Sequence, residues 1–135
     1  MQAKKEEVLI KVRIINFILF ILFTLFALVQ YNDPDPYIWI MIYSYTAILC
    51  LLASFRKYYK YLYIAGAVIS VLWSLSLFQS IFFAIKEFGA NPIFSINMVK
   101  EKNVEEARES LGLLIVFLVM IWKYYEAKKH SKEQK

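Results

Sequence analysis

The feature that most constrains the fold is a set of three long apolar segments, none of which contains a charged residue. Residues 37–55 and 61–85 are uncharged, and residues 14–29 are interrupted only by Asn16 and Thr24. An α-helix that crosses about 30 Å of hydrocarbon needs about 20 mainly apolar residues. The chain is also 60% hydrophobic over its 135 residues, which exceeds the usual share in a soluble domain. These segments predict a protein embedded in a bilayer.

A fourth apolar segment, residues 111–122, is too short to cross a bilayer alone. At 1.5 Å per residue it would reach only about 18 Å. The residues before it extend the helix, because Asn103 is a good N-cap and Glu106 completes a box-like capping pattern. We therefore predict an all-α, polytopic integral membrane protein that forms one four-helix transmembrane bundle over residues 1–135. The predicted spans are about 11–31, 36–55, 61–85 and 104–125.

The distribution of lysine and arginine predicts the orientation. Short loops rich in these residues stay in the cytoplasm. The N-terminal segment carries four of them, the loop at residues 56–60 carries three and the tail from Lys123 carries five, whereas residues 30–36 carry none. Both termini are predicted to be cytoplasmic. In a bacterium the membrane would be the inner, or cell, membrane.

The connection after the first span is the polar stretch "QYNDPDP", residues 30–36. A proline displaces the residue before it from the helical region, so Asp33 and Asp35 are predicted to be extended. Pro36 suits the first position of the second helix and Asp35 its N-cap, which explains both residues structurally. The candidate binding residues of this loop are Gln30, Asn32, Asp33 and Asp35. The structural explanation is weaker for Gln30, Asn32 and Asp33 than for Asp35.

The start of the fourth helix carries a second polar group. Glu105, Arg108, Glu109 and Gly112 follow the i, i+3, i+4, i+7 spacing of one helix stripe. Ionisable side chains at this depth usually face the bundle or a wet cavity, which predicts a site. The alternative is that the glutamates complement the helix dipole and that Arg108 belongs to a solvated ion pair.

The predicted topology brings these two polar groups to the same face of the membrane. Adjacent helix axes in a bundle are only about 10 Å apart. A contact between Asp33 and Arg108 is therefore predicted.

The third span has a packing ridge and one further candidate. Gly66, Ser70 and Ser74 form a small-xxx-small ridge that lets a neighbouring helix approach closely. Gln79 is an amide within a span, where such a group needs a partner, so it is either a binding residue or one end of a helix–helix hydrogen bond. Residues 93–99, in the long connection that follows, are predicted to form an interfacial connector, with a lid as the alternative.

The pairing of "QYNDPDPYIWI" with "VEEARESLGLLI", in a chain with four spans, resembles the transmembrane protein 220 family. The resemblance covers essentially the whole chain, and the two motifs carry it rather than the apolar segments. It implies a small polytopic membrane protein and transfers no catalytic roles. It also implies that the family pattern includes Asn32, Asp33, Pro34, Asp35, Pro36, Glu105, Arg108 and Glu109.

The predicted function is a binding or interaction module with an outward-facing polar cluster. In this hypothesis Arg108 grips an anionic group on a small ligand, a lipid head group or a partner protein. One alternative is a purely structural lock between helices. Another is a divalent-cation site, which Arg108 would oppose. The carboxylates for such a site are Asp33, Asp35, Glu105 and Glu109.

Other chemistry finds little support in the residues. The single cysteine, Cys50, excludes a disulfide within the chain. The single histidine, His130, lies in the basic tail and is predicted to be solvated. No serine-centred motif or cofactor fingerprint occurs, so an enzyme is not favoured and no cofactor is expected. The net charge of +5 follows the topology signals and not a base-reading motif, so no nucleic acid is expected.

Overall fold

The computed structural model describes residues 1–33, 35–89 and 102–133. Nearly all of them are helical, and no strand occurs in these ranges. The all-α prediction is confirmed. The helices are α1 (Gln2–Val29), which continues into a 3-10 turn (Gln30–Asn32), α2 (Pro36–Ser54), α3 (Lys60–Ser76), α4 (Phe78–Phe88) and α5 (Lys102–Glu133).

Three of these helical segments are long and apolar enough to cross a membrane: Gln2–Asn32, Pro36–Ser54 and Glu106–Glu133. Helices α3 and α4, of 17 and 11 residues, are each too short and meet the same criterion only as a pair. The pair is bent by 47° where the two helices join. The described residues thus contain three candidate spans, or four if the bent pair crosses as one. The chain is a polytopic membrane protein, as predicted, and the cytoplasmic position of its termini stays a prediction.

The break between α3 and α4 lies at Leu77, inside the continuous span that the sequence predicts over residues 61–85. Ser76 Oγ donates a 2.6 Å hydrogen bond to the Trp73 carbonyl. The Leu77 N–H is shared between the carbonyls of Trp73 and Ser74, at 3.3 and 3.1 Å. A serine hydroxyl that competes for the backbone ladder bends a helix. The local serines therefore explain the break.

Helix α5 begins and ends beyond the predicted limits. It starts at Lys102, so Asn103 is its second residue and not its N-cap, and it ends at Glu133, past the predicted end near Tyr125. The polar turns before the short apolar segment do belong to the same helix, as predicted. The connector or lid at residues 93–99 lies outside the described residues.

The chain divides into two compact units, and α5 contributes residues to both. Unit 1 comprises Met1–Lys60 with Lys123–Lys135, and unit 2 comprises Tyr61–Trp122. In unit 1, α1 packs against α2 through buried aromatic rings. The ring centroids of Phe23 and Tyr43 are 6.3 Å apart, and both side chains are buried. Aromatic packing thus forms part of the core of unit 1.

Unit 2 buries several small residues. Gly66, Ser70 and Ser74 are all buried on α3, which confirms the predicted packing ridge. Ala107 and Ser110, on the part of α5 that belongs to this unit, are fully buried. Small side chains bring helix backbones close in lipid, where dispersion and hydrogen bonds drive association.

Candidate functional site

The loop at residues 30–36 is ordered by its own aspartates. Asp33 is extended, with φ −74° and ψ 148°, as the following proline predicts. Asp35 is the N-cap of α2 and Pro36 begins the helix, also as predicted, although the Asp35 carboxylate makes no capping hydrogen bond. The Asp35 N–H instead donates to Asp33 Oδ1 at 3.1 Å. Asp33 therefore stabilises an Asx-type turn, a role that the sequence did not reveal.

The other candidates in this loop differ in exposure. Gln30 is half-buried, and its carbonyl accepts the Asp33 N–H at 2.9 Å. Asn32 and Asp35 are exposed, and Asp33 is half-buried. All four belong to unit 1.

The start of α5 holds a polar cluster within unit 2. Arg108 and Glu109 are half-buried there. Glu106 is also half-buried, and its Oε2 accepts a hydrogen bond from the buried Ser80 hydroxyl on α4. The predicted stripe does not include Glu106. The structure nevertheless shows that Ser80, on the neighbouring helix α4, holds the Glu106 carboxylate in position. We call Ser80, Glu106, Arg108 and Glu109 the Arg108 cluster.

Gln79, the binding candidate in the third predicted span, precedes Ser80 on α4. Gln79 is exposed, whereas Ser80 is only 7% exposed. Adjacent residues point about 100° apart around a helix. The side chain from α4 that reaches α5 is therefore Ser80, and a binding role for Gln79 stays a prediction.

The predicted contact between Asp33 and Arg108 joins residues of the two separate units, and it stays a prediction. The side chain of Glu105 lies outside what the structure describes. Across the described ranges, no group of three or more His, Cys, Asp or Glu residues could hold a metal ion. The described residues therefore lend no support to the divalent-cation hypothesis.

A second polar group, which sequence reasoning missed, lies in unit 1. Lys123 and Asn16 are each 0% exposed. Lys123 Nζ lies 2.5 Å from Glu126 Oε2 and also donates to Asn16 Oδ1. The Asn16 amide donates to Glu126 Oε1 at 2.7 Å, and the Tyr58 hydroxyl donates to the same oxygen at 2.9 Å. We call these four residues the Lys123 network.

The Lys123 network compensates the buried positive charge of Lys123. An unpaired ammonium away from water is costly, so a buried lysine requires an anionic partner and further hydrogen bonds. Glu126 supplies the charge, while Asn16 uses both ends of its amide to join lysine and glutamate. Since Tyr58 lies between α2 and α3, the network ties that connection, α1 and α5 together.

The sequence held a signal for this network. Asn16 is a polar interruption in a span, and an amide in lipid needs a partner. Lys123 was interpreted only as a topology signal in the basic tail. The structure shows that Lys123 also lies inside unit 1, at i, i+3 to Glu126.

The prediction that His130 is solvated is wrong. His130 is half-buried, and its Nδ1 lies 2.5 Å from Arg56 Nη2. Its ring centroid is 4.9 Å from that of Tyr58. Arg56 Nη2 also lies 3.6 Å from Glu133 Oε2. The end of α5 is therefore held against the α2–α3 connection by charged groups.

Unit 1 also has an apolar groove of about 370 Å³ between α1 and α2. Ala27 and Ala47 line it, together with Thr24, Ser44 and Tyr31. None of the binding residues predicted from the sequence lines this groove. It therefore gives no support to the predicted cluster.

Comparison with known proteins agrees with the two motifs. The family model described as "Transmembrane family 220, helix" matches residues 22–125. Transmembrane protein 220 of Xenopus laevis is 39% identical over 108 residues, which cover 77% of this chain and 53% of that relative. The chain thus spans about half the length of this curated relative. No solved structure matches the chain significantly.

Proposed function

Because the chain belongs to transmembrane family 220, we propose that this integral membrane protein is a binding or interaction module of the bilayer. The Arg108 cluster supplies its recognition groups. Gln30, Asn32, Asp33 and Asp35, in the loop at residues 30–36, are proposed as further binding residues. The proposal is supported chiefly by one observation: Arg108 and Glu109 are half-buried at the start of a candidate span, where Ser80 holds the adjacent Glu106.

The chemistry of the Arg108 cluster suits an anionic ligand. A guanidinium presents a planar fork that matches a carboxylate or a phosphate. Ionisable groups near a span are costly to expose to lipid, so they favour partners of opposite charge. Glu106 and Glu109 would orient the guanidinium. The proposed ligand group is the phosphate of a lipid head group, or a carboxylate of a small ligand or partner protein.

The orientation belongs to the same proposal. The excess of lysine and arginine in the two terminal segments and at residues 56–60 supports cytoplasmic termini. The Arg108 cluster would then face the opposite side. In a bacterium, that arrangement corresponds to the inner membrane, with the cluster on its periplasmic face.

Retention of an anionic lipid tests the proposal. Purified protein is titrated with phosphatidylglycerol or phosphatidylcholine, and the bound lipid is counted by native mass spectrometry. We expect Arg108→Gln to weaken phosphatidylglycerol binding by about tenfold, the effect of one lost charge-assisted hydrogen bond. The substitution should weaken phosphatidylcholine binding less, because this lipid carries no net charge.

Arg13→Gln is the matched control, because Arg13 is an exposed arginine of unit 1. It should leave binding unchanged. The recognition proposal fails if Arg108→Gln binds phosphatidylglycerol as tightly as the native protein does and if the substitution also leaves the binding of free carboxylate and phosphate probes unchanged.

The structural lock remains a second candidate, since Ser80 and Glu106 already join α4 and α5. Thermal stability of Asp33→Asn and Arg108→Gln separates the two. Large losses of stability in both variants would favour a lock. Small losses, together with weakened anion binding, would favour a site.

A further inference from the structure

Arg56 occupies a backbone position that normally favours glycine. Its φ is +63°, and it is the only non-glycine residue with a positive φ in the described ranges. It follows the end of α2, where the Arg56 N–H donates to the Ala53 carbonyl and the Lys57 N–H to the Leu52 carbonyl, both at 2.9 Å. These two bonds form a Schellman motif, in which the left-handed residue is usually glycine. A residue with a Cβ atom is unfavourable in this left-handed conformation. The arginine at this position therefore points to a contact made by its guanidinium.

The guanidinium of Arg56 makes those contacts with the end of α5. Arg56 Nη2 lies 2.5 Å from His130 Nδ1 and 3.6 Å from Glu133 Oε2. An arginine in a protein stays protonated and has no acceptor atom. The hydrogen bond therefore runs from Arg56 to His130, and Nδ1 must hold a lone pair. This geometry requires a neutral imidazole.

The contact lies next to the Lys123 network. Tyr58, two residues after Arg56, packs its ring against His130 and donates its hydroxyl to Glu126. His130 and Glu126 are four residues apart, so they share one face of α5. The connection from Arg56 to Tyr58 thus covers the face of α5 that carries the buried Glu126–Lys123 pair.

We propose that the Arg56–His130 contact is a pH-sensitive latch over the Lys123 network. While His130 is neutral, the latch is closed and the Glu126–Lys123 pair is shielded from water. When His130 takes a proton at Nδ1, it loses its acceptor and places a second positive charge beside Arg56. The latch then opens, and Tyr58 is withdrawn from Glu126.

The sign of the pH dependence follows from the groups that face His130. Burial of the ring and the charge of Arg56, from the α2–α3 connection, oppose its protonation, and the ring of Tyr58, from the same connection, packs against it. Glu133, on α5 itself, favours the protonated ring. The closed state requires the neutral form, so it is present at high pH and is lost as the pH falls. Imidazoles titrate between about pH 5 and pH 8.

Distance measurements on the full chain in lipid nanodiscs test the latch. Lys57→Cys and Lys129→Cys, both at exposed positions, carry spin labels in a Cys50→Ala background. Double electron–electron resonance should show one short distance at pH 8 and a second, longer one at pH 5. The open-to-closed ratio should rise by about tenfold, the effect of one lost hydrogen bond to a charged group.

Two variants separate the latch from a merely structural contact. His130→Asn keeps an acceptor near the position of Nδ1 but cannot titrate in this range, so it should stay closed at both pH values. Arg56→Gly suits the left-handed backbone and removes the guanidinium, so it should be open at both pH values while the protein stays folded.

The carboxylate of Glu133 is the competing origin of a pH step. Glu133→Gln should keep the step if His130 is the titrating group, with the midpoint moved to lower pH because a carboxylate that favours the protonated ring has been removed. The proposal is overturned if the native distances do not change between pH 8 and pH 5, if the step survives in His130→Asn, or if it disappears in Glu133→Gln.

Discussion

The two units bury polar groups inside membrane helices in different ways. Unit 2 uses neutral hydroxyls. Ser74 and Ser110 are both buried, their Oγ atoms lie 2.9 Å apart, and each Oγ also bonds the other residue's carbonyl at 3.0 Å. Unit 1 also buries hydroxyls, at Thr46 and Ser54, but it buries a charge as well, with Lys123 held by Glu126 and Asn16.

The contrast shows that the cost of removing one partner differs between a buried hydroxyl pair and a buried ion pair. A hydroxyl pair can lose a member and leave only a small neutral group to satisfy. An ion pair that loses one member leaves an uncompensated charge in a medium of low dielectric constant. The Lys123 network should therefore specify one packing of its helices, whereas the serine pair should mainly permit close approach.

The largest expected effect comes from removing the charge of Glu126. Glu126→Gln should lower the free energy of unfolding by about 3 kcal/mol or more, since the ammonium of Lys123 is left buried without an anion. Unfolding in bicelles, followed by circular dichroism, measures the loss.

Lys123→Met combined with Glu126→Gln is the control for that loss. The double variant buries no charge, so it should recover most of the stability that the single variant loses. If the double variant is as unstable as Glu126→Gln alone, the network is not governed by charge and the contrast between the units fails.

An intermediate effect is expected at the serine pair. Ser74→Ala and Ser110→Ala should each cost about 1 kcal/mol, because alanine keeps the close helix packing and removes only interhelical hydrogen bonds. Combining them in a double-mutant cycle isolates the coupling, which should be about 0.5–1.5 kcal/mol. A coupling as large as that of the Lys123–Glu126 pair would remove the distinction between the units.

The smallest expected effect is at the turn of Asp33, because the hydrogen bond between the Asp35 N–H and Asp33 Oδ1 is exposed to solvent. Asp33→Asn keeps the acceptor for the Asp35 N–H and should change stability by less than about 0.5 kcal/mol. Asp33→Ala removes the acceptor and should cost about 0.5–1 kcal/mol. A thermal-unfolding comparison of the two variants gives the difference. A large loss in Asp33→Asn would show that its charge has a partner beyond this turn.

Much of the local structure followed from the residues alone. The prolines predicted the end of α1 and the start of α2, and the buried ridge of Gly66, Ser70 and Ser74 was visible as a spacing pattern. The site was predicted less well. The predicted stripe does not include Glu106, and the predicted candidate on the third span is Gln79, whereas the contact is made by Ser80 and Glu106. A shift of one residue changes the direction of a helical side chain by about 100°.

By itself, the sequence determined that this protein lives in a bilayer, because the length of an apolar run and the thickness of the hydrocarbon are compared one segment at a time. The sequence also contains the two motifs that carry the resemblance to the family. Only the tertiary structure decided which polar residues meet. Asn16 joins Lys123 and Glu126 across 107 and 110 residues of sequence, and Arg56 joins His130 across 74. Such pairs depend on which helix faces pack together, and the local spacing of residues in the sequence does not predict this packing.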